Sequence, residues 1–181
     1  MSSPPYGQLP RLGVSDFGPG KDHVAEAYQN GRIFAIIHKG DPVRQHLPSL
    51  YLDSNDPNTY VFVHGGQEVS RFENMAIGTH EIPDHVIASL LANNYGIQLD
   101  SMRIRLCTCY GNMLRPSDIR SAAQRLASLL PRTQFEAYHG LVYVDPNVTP
   151  PRVLRGDTLR WDPTTGPYAV GPPGNWEPVH P

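Results

Sequence analysis

The apolar residues of this chain fall into two kinds of segment. Short apolar runs rich in strand-forming residues are typical of strands buried on both faces, and they occur at residues 33–37, 59–64 and 104–107. Longer segments place apolar residues at helical spacing, and they occur at residues 83–96 and 115–131. The longer segments also carry helix start and stop residues, such as Pro83 and Gly96. The pattern predicts three strands with two helices between or after them.

Two further segments extend this alternation. Residues 23–31 place Val24, Ala25 and Tyr28 at helical spacing with Gly31 as a stop, which predicts a first helix. Residues 135–145 read as a fourth strand. Strands alternating with helices predict an α/β fold with a mainly parallel sheet, flanked by helices and joined by right-handed crossovers.

The two ends of the chain are rich in proline and glycine. Residues 1–22 lack periodicity and predict a linker or extended arm, so residues 23–181 are interpreted as a single domain. Residues 147–181 form an irregular extension with short segments that suit a hairpin at the sheet edge. Its two tryptophans, Trp161 and Trp176, are expected to pack back on the domain, because disordered tails are poor in aromatic residues.

Composition narrows the classes of function. A net charge of −2 and a pI of about 6.4 argue against a nucleic-acid partner, which requires a basic surface. No apolar run approaches the roughly 20 residues that cross a bilayer, so no membrane association is expected. The two cysteines, Cys107 and Cys109, are too close in sequence for an unstrained disulfide, which fits a reducing compartment such as the cytoplasm.

Reactive side chains stand where two predicted strands end. His64 follows one strand and is followed by Gly65 and Gly66, while Cys109 follows the next strand and is followed after Tyr110 by Gly111. The carboxyl ends of parallel strands meet at one edge of a sheet, and glycine allows a sharp turn or close approach there. An imidazole beside a thiol favours its thiolate and can protonate a leaving group. The pattern indicates a His/Cys pair.

The order of these segments resembles the caspase-like cysteine peptidases of clan CD, especially the domains at the C-termini of bacterial polymorphic toxins. The matching segments, in order, are "VFVHGG", the helix of "DHVIASLLANNYG", "IRLCTCYGN", "AQRLASLLP" and "FEAYHGLVYVDP". They cover about residues 30–147. The resemblance implies a caspase-like sheet and a cysteine endopeptidase acting as a toxin effector.

By that resemblance, His64 is the general acid/base and Cys109, rather than Cys107, is the nucleophile. Gly65 and the backbone of Cys109 are then candidates for the oxyanion hole. The neighbouring residues expected to line the substrate site are Gly66, Thr108, Tyr110 and Gly111. The implied partners are a protein or peptide substrate and an immunity protein, and no cofactor or metal is implied.

Other hypotheses stay open on the sequence alone. One is a noncatalytic protein-binding module on the same fold, and another is a non-peptidase hydrolase or acyltransferase that uses the same pair. A zinc site would draw on four conceivable ligands, Cys107, Cys109, His64 and His139, although Cys-x-Cys lacks the usual spacing. The carboxylates show no spacing that selects a glycosidase-like pair and are expected to be mostly solvated or in turns: Asp22, Asp41, Asp53, Asp56 and Glu68.

Overall fold

The structure contains one six-stranded sheet and three smaller ones. The computed structural model of the protein describes residues 23–66, 70–76, 78–145, 147–164, 166–170 and 174–181. The strands are β1 (His23–Tyr28), β2 (Ile33–His38), β3 (Thr59–Phe62), β4 (His64–Gly65), β5 (Phe72–Ala76), β6 (Gly78–Ile82), β7 (Arg103–Cys107), β8 (Gln134–Ala137), β9 (Leu141–Asp145), β10 (Arg152–Gly156), β11 (Thr158–Asp162), β12 (Gly166–Val170) and β13 (Glu177–Pro178). The α-helices are α1 (Asp84–Tyr95) and α2 (Ala122–Leu129), and 3-10 helices span Pro42–Ser49 and Gly96–Ser101. The predicted arm at residues 1–22 lies outside the described residues.

The main sheet has a parallel centre and antiparallel edges. Its strand order is β1-β2-β3-β7-β8-β13. The pairs β2–β3, β3–β7 and β7–β8 are parallel, whereas β1 and β13 pair antiparallel to their neighbours. The predicted α/β class with a mainly parallel sheet is therefore confirmed.

The predicted first helix is wrong, because residues 23–28 form the edge strand β1. This strand pairs antiparallel with β2, with Tyr28 opposite Ile33. The turn between them contains Gln29, Asn30 and Gly31 with φ angles of 51°, 57° and 83°. Asn-Gly with positive φ is a strong hairpin signal, so the glycine that was interpreted as a helix stop instead closes a β-hairpin.

The two faces of the sheet are covered differently. One apolar cluster joins β2, β3 and β7 to both α-helices through residues that include Val61, Leu91 and Leu126. The other cluster lies on the opposite face, where Leu47 of the first 3-10 helix and Leu50 at the end of that helix pack against the sheet. The sheet is therefore flanked by helices, with both α-helices on one face and the first 3-10 helix on the other.

Helix α1 begins and ends as its sequence predicts. Pro83 precedes it with a φ of −59°, and the chain leaves the helix at Gly96 with a φ of 56°, which glycine adopts without strain. Helix α2 is shorter than predicted because it begins only after Ser121. The Ser121 side chain accepts the Gln124 N–H, and the Gln124 side chain accepts the Ser121 N–H, which forms a capping box.

The predicted apolar face of the second helix included Ile119, which is wrong. Ile119 precedes α2 and is 93% exposed. The three residues from Pro116 to Asp118 favour turns, so the chain completes a loop there before the helix starts at its capping box. Neither α-helix in the described part of the chain is long and apolar enough to cross a membrane.

The predicted fourth strand is two strands in different sheets. β8 joins the main sheet, while β9 pairs antiparallel with β10. The C-terminal extension returns to the main sheet, because Glu177 and Pro178 pair with β8. Trp176 packs against the apolar cluster that contains Leu47, as expected, whereas the side chain of Trp161 lies outside the described residues.

The central strand β7 supplies a test of the fold. Ile104 is fully buried in the cluster that both helices share, whereas Ile97 is 84% exposed. We expect Ile104→Ala to lower the free energy of unfolding by about 2–5 kcal/mol, because it removes buried apolar contacts and leaves a cavity. Ile97→Ala is the matched control and should change it by no more than about 0.5 kcal/mol in urea unfolding. Equal effects of the two variants would contradict this packing.

Candidate active site

The register between β3 and β7 leads towards His64 and Cys109. Phe62 lies opposite Cys107 in this parallel pair, and continuing the same register by two residues would set His64 opposite Cys109. The Val63 N–H donates to the Cys107 carbonyl at 3.4 Å, which extends the pairing towards the strand ends. Neighbouring strands lie only about 4.8 Å apart, so the two backbones are adjacent.

The two side chains also belong to the same face of the sheet. Phe62 and Cys107 both belong to the apolar cluster opposite the α-helices. Because side chains alternate between faces along a strand, His64 and Cys109 continue that face just beyond the two strands. The register of the two strands and the shared face of the sheet thus support the predicted pairing of His64 with Cys109.

Gly65 makes the closest contact between the two strand ends. A Cβ atom at this position would lie 2.0 Å from the Cys109 carbonyl oxygen and 2.7 Å from Cγ2 of Thr108. No side chain fits in that space. The glycine after His64 is therefore required by the close approach of the Cys109 backbone, as the sequence pattern suggested.

The amides of the two glycines point in different directions. β4 pairs with β5, and the Gly66 N–H donates to the Arg71 carbonyl at 3.1 Å. Hydrogen-bonded and non-hydrogen-bonded positions alternate in an antiparallel pair, so the Gly65 N–H points away from β5. Of the two glycines, only Gly65 thus has an amide that is directed out of this small sheet.

A tight turn carries Cys109 at its second position. The Gly111 N–H donates to the Thr108 carbonyl at 3.1 Å, and Tyr110 adopts the left-handed region with a φ of 57°. The Tyr110 N–H is bonded to the Gly140 carbonyl at 2.7 Å. Thr108 is 1% exposed, so it lies beneath the turn, and the prediction that it lines the substrate site is wrong.

His64 has a carboxylate partner that the sequence did not predict. Its Nε2 atom contacts Oδ2 of Asp41, which lies just after β2. The Asp41 side chain is only 7% exposed, while that of His64 is 35% exposed. Asp41 is in a turn, as expected for these carboxylates, because its Oδ1 accepts the Val43 N–H at 2.9 Å, but it is not solvated.

The charge of Asp41 is stabilised in this position. Burial would raise its pKa, but the hydrogen bond and charge of His64 lower it, as do the Val43 N–H and the charge of His38. The net effect is a pKa below the ordinary value. Asp41 is therefore a carboxylate at neutral pH, in contact with the ring of His64.

The Cys109 thiol is directed towards a carbonyl in this structure. Its Sγ donates to the Val142 oxygen at 3.1 Å, whereas Nε2 of His64 is bonded to Asp41. Burial raises the pKa of Cys109, and backbone hydrogen bonds at Val142 and at Cys109 itself lower it in part. In this structure the thiol and the imidazole are thus each bonded to another group rather than to one another.

Cys107 differs from Cys109 in its surroundings. It is 5% exposed within the apolar cluster, and burial raises its pKa strongly. Both cysteines are free thiols. The position of Cys109 at the end of the strand agrees with its selection over Cys107 as the candidate nucleophile.

His139 belongs to a separate cluster of charged side chains. Its Nε2 lies 2.8 Å from Asp157 and its Nδ1 lies 2.7 Å from Glu177. Burial lowers the pKa of His139, but the hydrogen bonds and charges of Glu177 and Asp157 outweigh this effect and raise it. Asp157 also accepts a hydrogen bond from the Tyr138 hydroxyl at 2.7 Å.

The four conceivable zinc ligands are not gathered in one place. His64 is bonded to Asp41, Cys109 to the Val142 carbonyl, and His139 to Asp157 and Glu177, while Cys107 lies in the core. Among the residues that the structure describes, no group of three or more histidine, cysteine or acidic side chains has the arrangement of a metal site.

An open groove lies beside Asp41. Its volume is about 860 Å³, and it runs between the edge strand β1 and the segment that leads into the first 3-10 helix. Its walls carry both signs of charge. The charged and polar side chains that line it are Glu26, Tyr28, Lys39, Asp41, Arg44 and Gln45.

The contact at Gly65 supplies a test of the site's geometry. We expect Gly65→Ala to lower the free energy of unfolding by about 1–3 kcal/mol, because its Cβ would meet backbone atoms that no rotamer change can move. Gly40→Ala is the control, since its Cβ would approach the flexible His38 side chain at 3.2 Å, and that ring can shift at the cost of its hydrogen bond from the Gly40 N–H. Urea unfolding measures both, and a smaller effect at Gly65 than at Gly40 would refute the contact.

The cluster around His139 predicts a pH-dependent contribution to stability. The raised pKa means that His139 stabilises the fold below about pH 6.5 and loses this effect as pH rises through the pKa of the folded state. His139→Gln should therefore cost up to about 1 kcal/mol near pH 5.5 and little near pH 9, a modest effect because the side chain is 46% exposed. The measurement is urea unfolding at both pH values, with the exposed His85→Gln as control. A cost at His139 that does not change with pH would contradict the pairing.

Comparison of this chain with models of protein families, with curated proteins and with solved structures gives no match. What the site can do is therefore inferred from its own side chains. These are a thiol, an imidazole and a buried carboxylate, which stand at the ends of three neighbouring parallel strands.

Proposed function

We propose that this chain is a cysteine peptidase of caspase-like fold, in which Cys109 is the nucleophile and His64 the general acid/base. The observation that supports the proposal is the register of β3 against β7, in which Phe62 lies opposite Cys107, so that its continuation by two residues would set His64 opposite Cys109. The backbone contact at Gly65 supports it, because it keeps the two strand ends together.

The first step requires a rotation of the thiol. Sγ of Cys109 leaves the Val142 carbonyl by turning about the Cα–Cβ bond, which costs only a weak hydrogen bond because a thiol is a poor donor. Nε2 of His64 is held by Asp41, so Nδ1 is the ring atom left to accept the thiol proton. Hydrogen bonds of this kind often form only in the complex with substrate.

The proton leaves the thiol during the attack. Because burial raises the pKa of Cys109, the resting thiol is protonated at neutral pH. As sulfur bonds to the carbonyl carbon of the peptide, the proton passes to His64, which then gives it to the departing amine. Water next attacks the thioester with His64 as base, which releases the carboxylic acid and restores the thiol.

Backbone amides supply the candidate oxyanion hole. The Gly65 N–H points away from β5, and Gly65 itself adjoins the Cys109 backbone. The Cys109 N–H belongs to the same turn as the thiol. Two such donors would stabilise the negative oxygen of the tetrahedral intermediate, and each is worth about 3 kcal/mol in related chemistry.

A peptide substrate also fits the surroundings. The groove of about 860 Å³ borders Asp41, the carboxylate that contacts His64. Its mixed charges and the outer edge of β1 offer polar contacts to an extended backbone. Secretion as part of a bacterial toxin and an immunity protein as partner stay predictions from the sequence resemblance.

The test uses peptidyl acyloxymethyl ketones, which alkylate a thiol after they bind as a peptide. We expect adduct formation at Cys109 in the wild type, and a loss of about 10²–10⁴-fold in labelling rate in His64→Ala. Peptide mass spectrometry identifies the labelled residue, and a peptide library incubated with the wild type measures cleavage. Cys107→Ala is the matched control and should label at the wild-type rate.

The other possible outcomes of this experiment would each favour a different function. Labelling of Cys109 no faster than that of a small free thiol, and unchanged by His64→Ala, would overturn the peptidase and favour a noncatalytic binding module. Adduct formation that depends on His64 without hydrolysis of any peptide would favour a different hydrolase or acyltransferase. Thermal melting of every variant separates loss of chemistry from loss of fold.

A further inference from the structure

The three polar side chains of the site follow three neighbouring strands, in the same order as those strands have in the sheet. β2, β3 and β7 are parallel and adjacent, and their carboxyl ends lead to Asp41, His64 and Cys109 in turn. The strand that ends at His64 lies between the other two. The imidazole contacts the carboxylate on one side, and the backbone next to it at Gly65 adjoins the thiol-bearing turn on the other.

Asp41 is held in a defined orientation by the start of the first 3-10 helix. Its Oδ1 accepts the Val43 N–H at 2.9 Å, which leaves Oδ2 for Nε2 of His64. Leu47 of the same helix is fully buried against the sheet. The carboxylate is thus attached to the core through a short rigid segment, and with 7% of its side chain exposed it is largely shielded from water.

We propose that Asp41 is a positioning residue, which keeps the proton of the neutral His64 ring on Nε2 and so presents Nδ1 to Cys109. The proposal rests on the proposed function and turns the His/Cys pair into an Asp-His-Cys triad. A neutral imidazole donates from one nitrogen and accepts at the other. A buried carboxylate on Nε2 therefore fixes which nitrogen takes the thiol proton, and its charge stabilises the imidazolium that forms.

A structural role for Asp41 is separable from this positioning role. Asp41→Asn keeps a side-chain oxygen for the Val43 N–H and nearly the same volume, since asparagine serves as well as aspartate at helix starts. It removes the charge, and its amide nitrogen can donate to Nε2 and move the ring proton to Nδ1. The variant should therefore keep the fold and lose the orientation of the ring.

The first measurement follows peptide hydrolysis. We expect Asp41→Asn to lower kcat by about 10²–10⁴-fold with KM changed less than about threefold, as expected when a ring is held in the wrong tautomer. Asp41→Glu retains the charge and should recover part of kcat. Asp53→Asn is the matched control, because Asp53 is exposed and its Oδ1 accepts the Asn55 N–H at 2.9 Å in the same kind of turn. It should retain wild-type kcat.

The second measurement needs no substrate. Long-range ¹H–¹⁵N spectra of the protein labelled at histidine, recorded near pH 8, report which ring nitrogen of His64 carries the proton. We expect the Nε2–H form in the wild type and in Asp53→Asn, and a shift towards the Nδ1–H form in Asp41→Asn. His64→Gln identifies the signal by its loss.

The two measurements separate failure of this inference from failure of the peptidase. If the wild type cleaves peptides and Asp41→Asn matches it in kcat and tautomer, the positioning role is overturned while the peptidase stands. If no variant cleaves or labels, the peptidase fails, and the tautomer shift alone decides whether Asp41 orients His64. If thermal melting shows that Asp41→Asn does not fold, Asp41→Glu is compared with the wild type in both measurements. In that case, an unchanged kcat together with an unchanged His64 ring signal would overturn the positioning role.

Discussion

The register of β3 against β7 is the constraint on which the site depends. A slip of one residue would move His64 to the opposite face, because side chains alternate along a strand. The slip is opposed by burial on both sides of the sheet, where Val61 belongs to the cluster of the helices and Phe62 to the opposite cluster. Apolar packing within the strands thus positions the polar side chains at the strand ends.

The same packing places the carboxylate. The segment after β2 is attached to the sheet by Leu47 and Leu50, and Gln29 in the β1–β2 turn donates to the carbonyls of both at 3.0 and 2.9 Å. Asp41 opens this segment and is thereby brought to His64. An edge hairpin and a 3-10 helix, neither of which supplies the thiol or the imidazole of the site, together determine where the buried charge lies.

In this structure the Cys109 thiol is hydrogen-bonded to a carbonyl and not to the His64 imidazole. Cys109 donates to a carbonyl of β9, a strand of a different sheet, so the position of that hairpin influences whether the thiol is free to turn. The raised pKa of the thiol follows from the same burial. A neutral thiol is less prone to adventitious oxidation than a thiolate, since the thiolate is the reactive form.

Local signals determined much of this protein from sequence alone. The strand-like runs became β2, β3 and β7, and helix α1 has the limits that Pro83 and Gly96 predict, because backbone preference and burial pattern act there in the same direction. The placement of His64 and Cys109 at strand ends also followed from these runs. The hairpin at Asn30 and Gly31 and the capping box of α2 were equally local signals, and an interpretation by helical spacing alone overlooked them.

Tertiary structure decided the features that depend on residues distant in the chain. Nothing local distinguishes Asp41 from other carboxylates in turns, and its burial beside His64, 23 positions away, exists only once β2 and β3 pair. The direction of the Cys109 thiol likewise depends on β9, 33 positions further along. Sequence patterns report the preferences of neighbouring residues, whereas the environment of a charge or a thiol is set by whichever distant segments the fold packs against it.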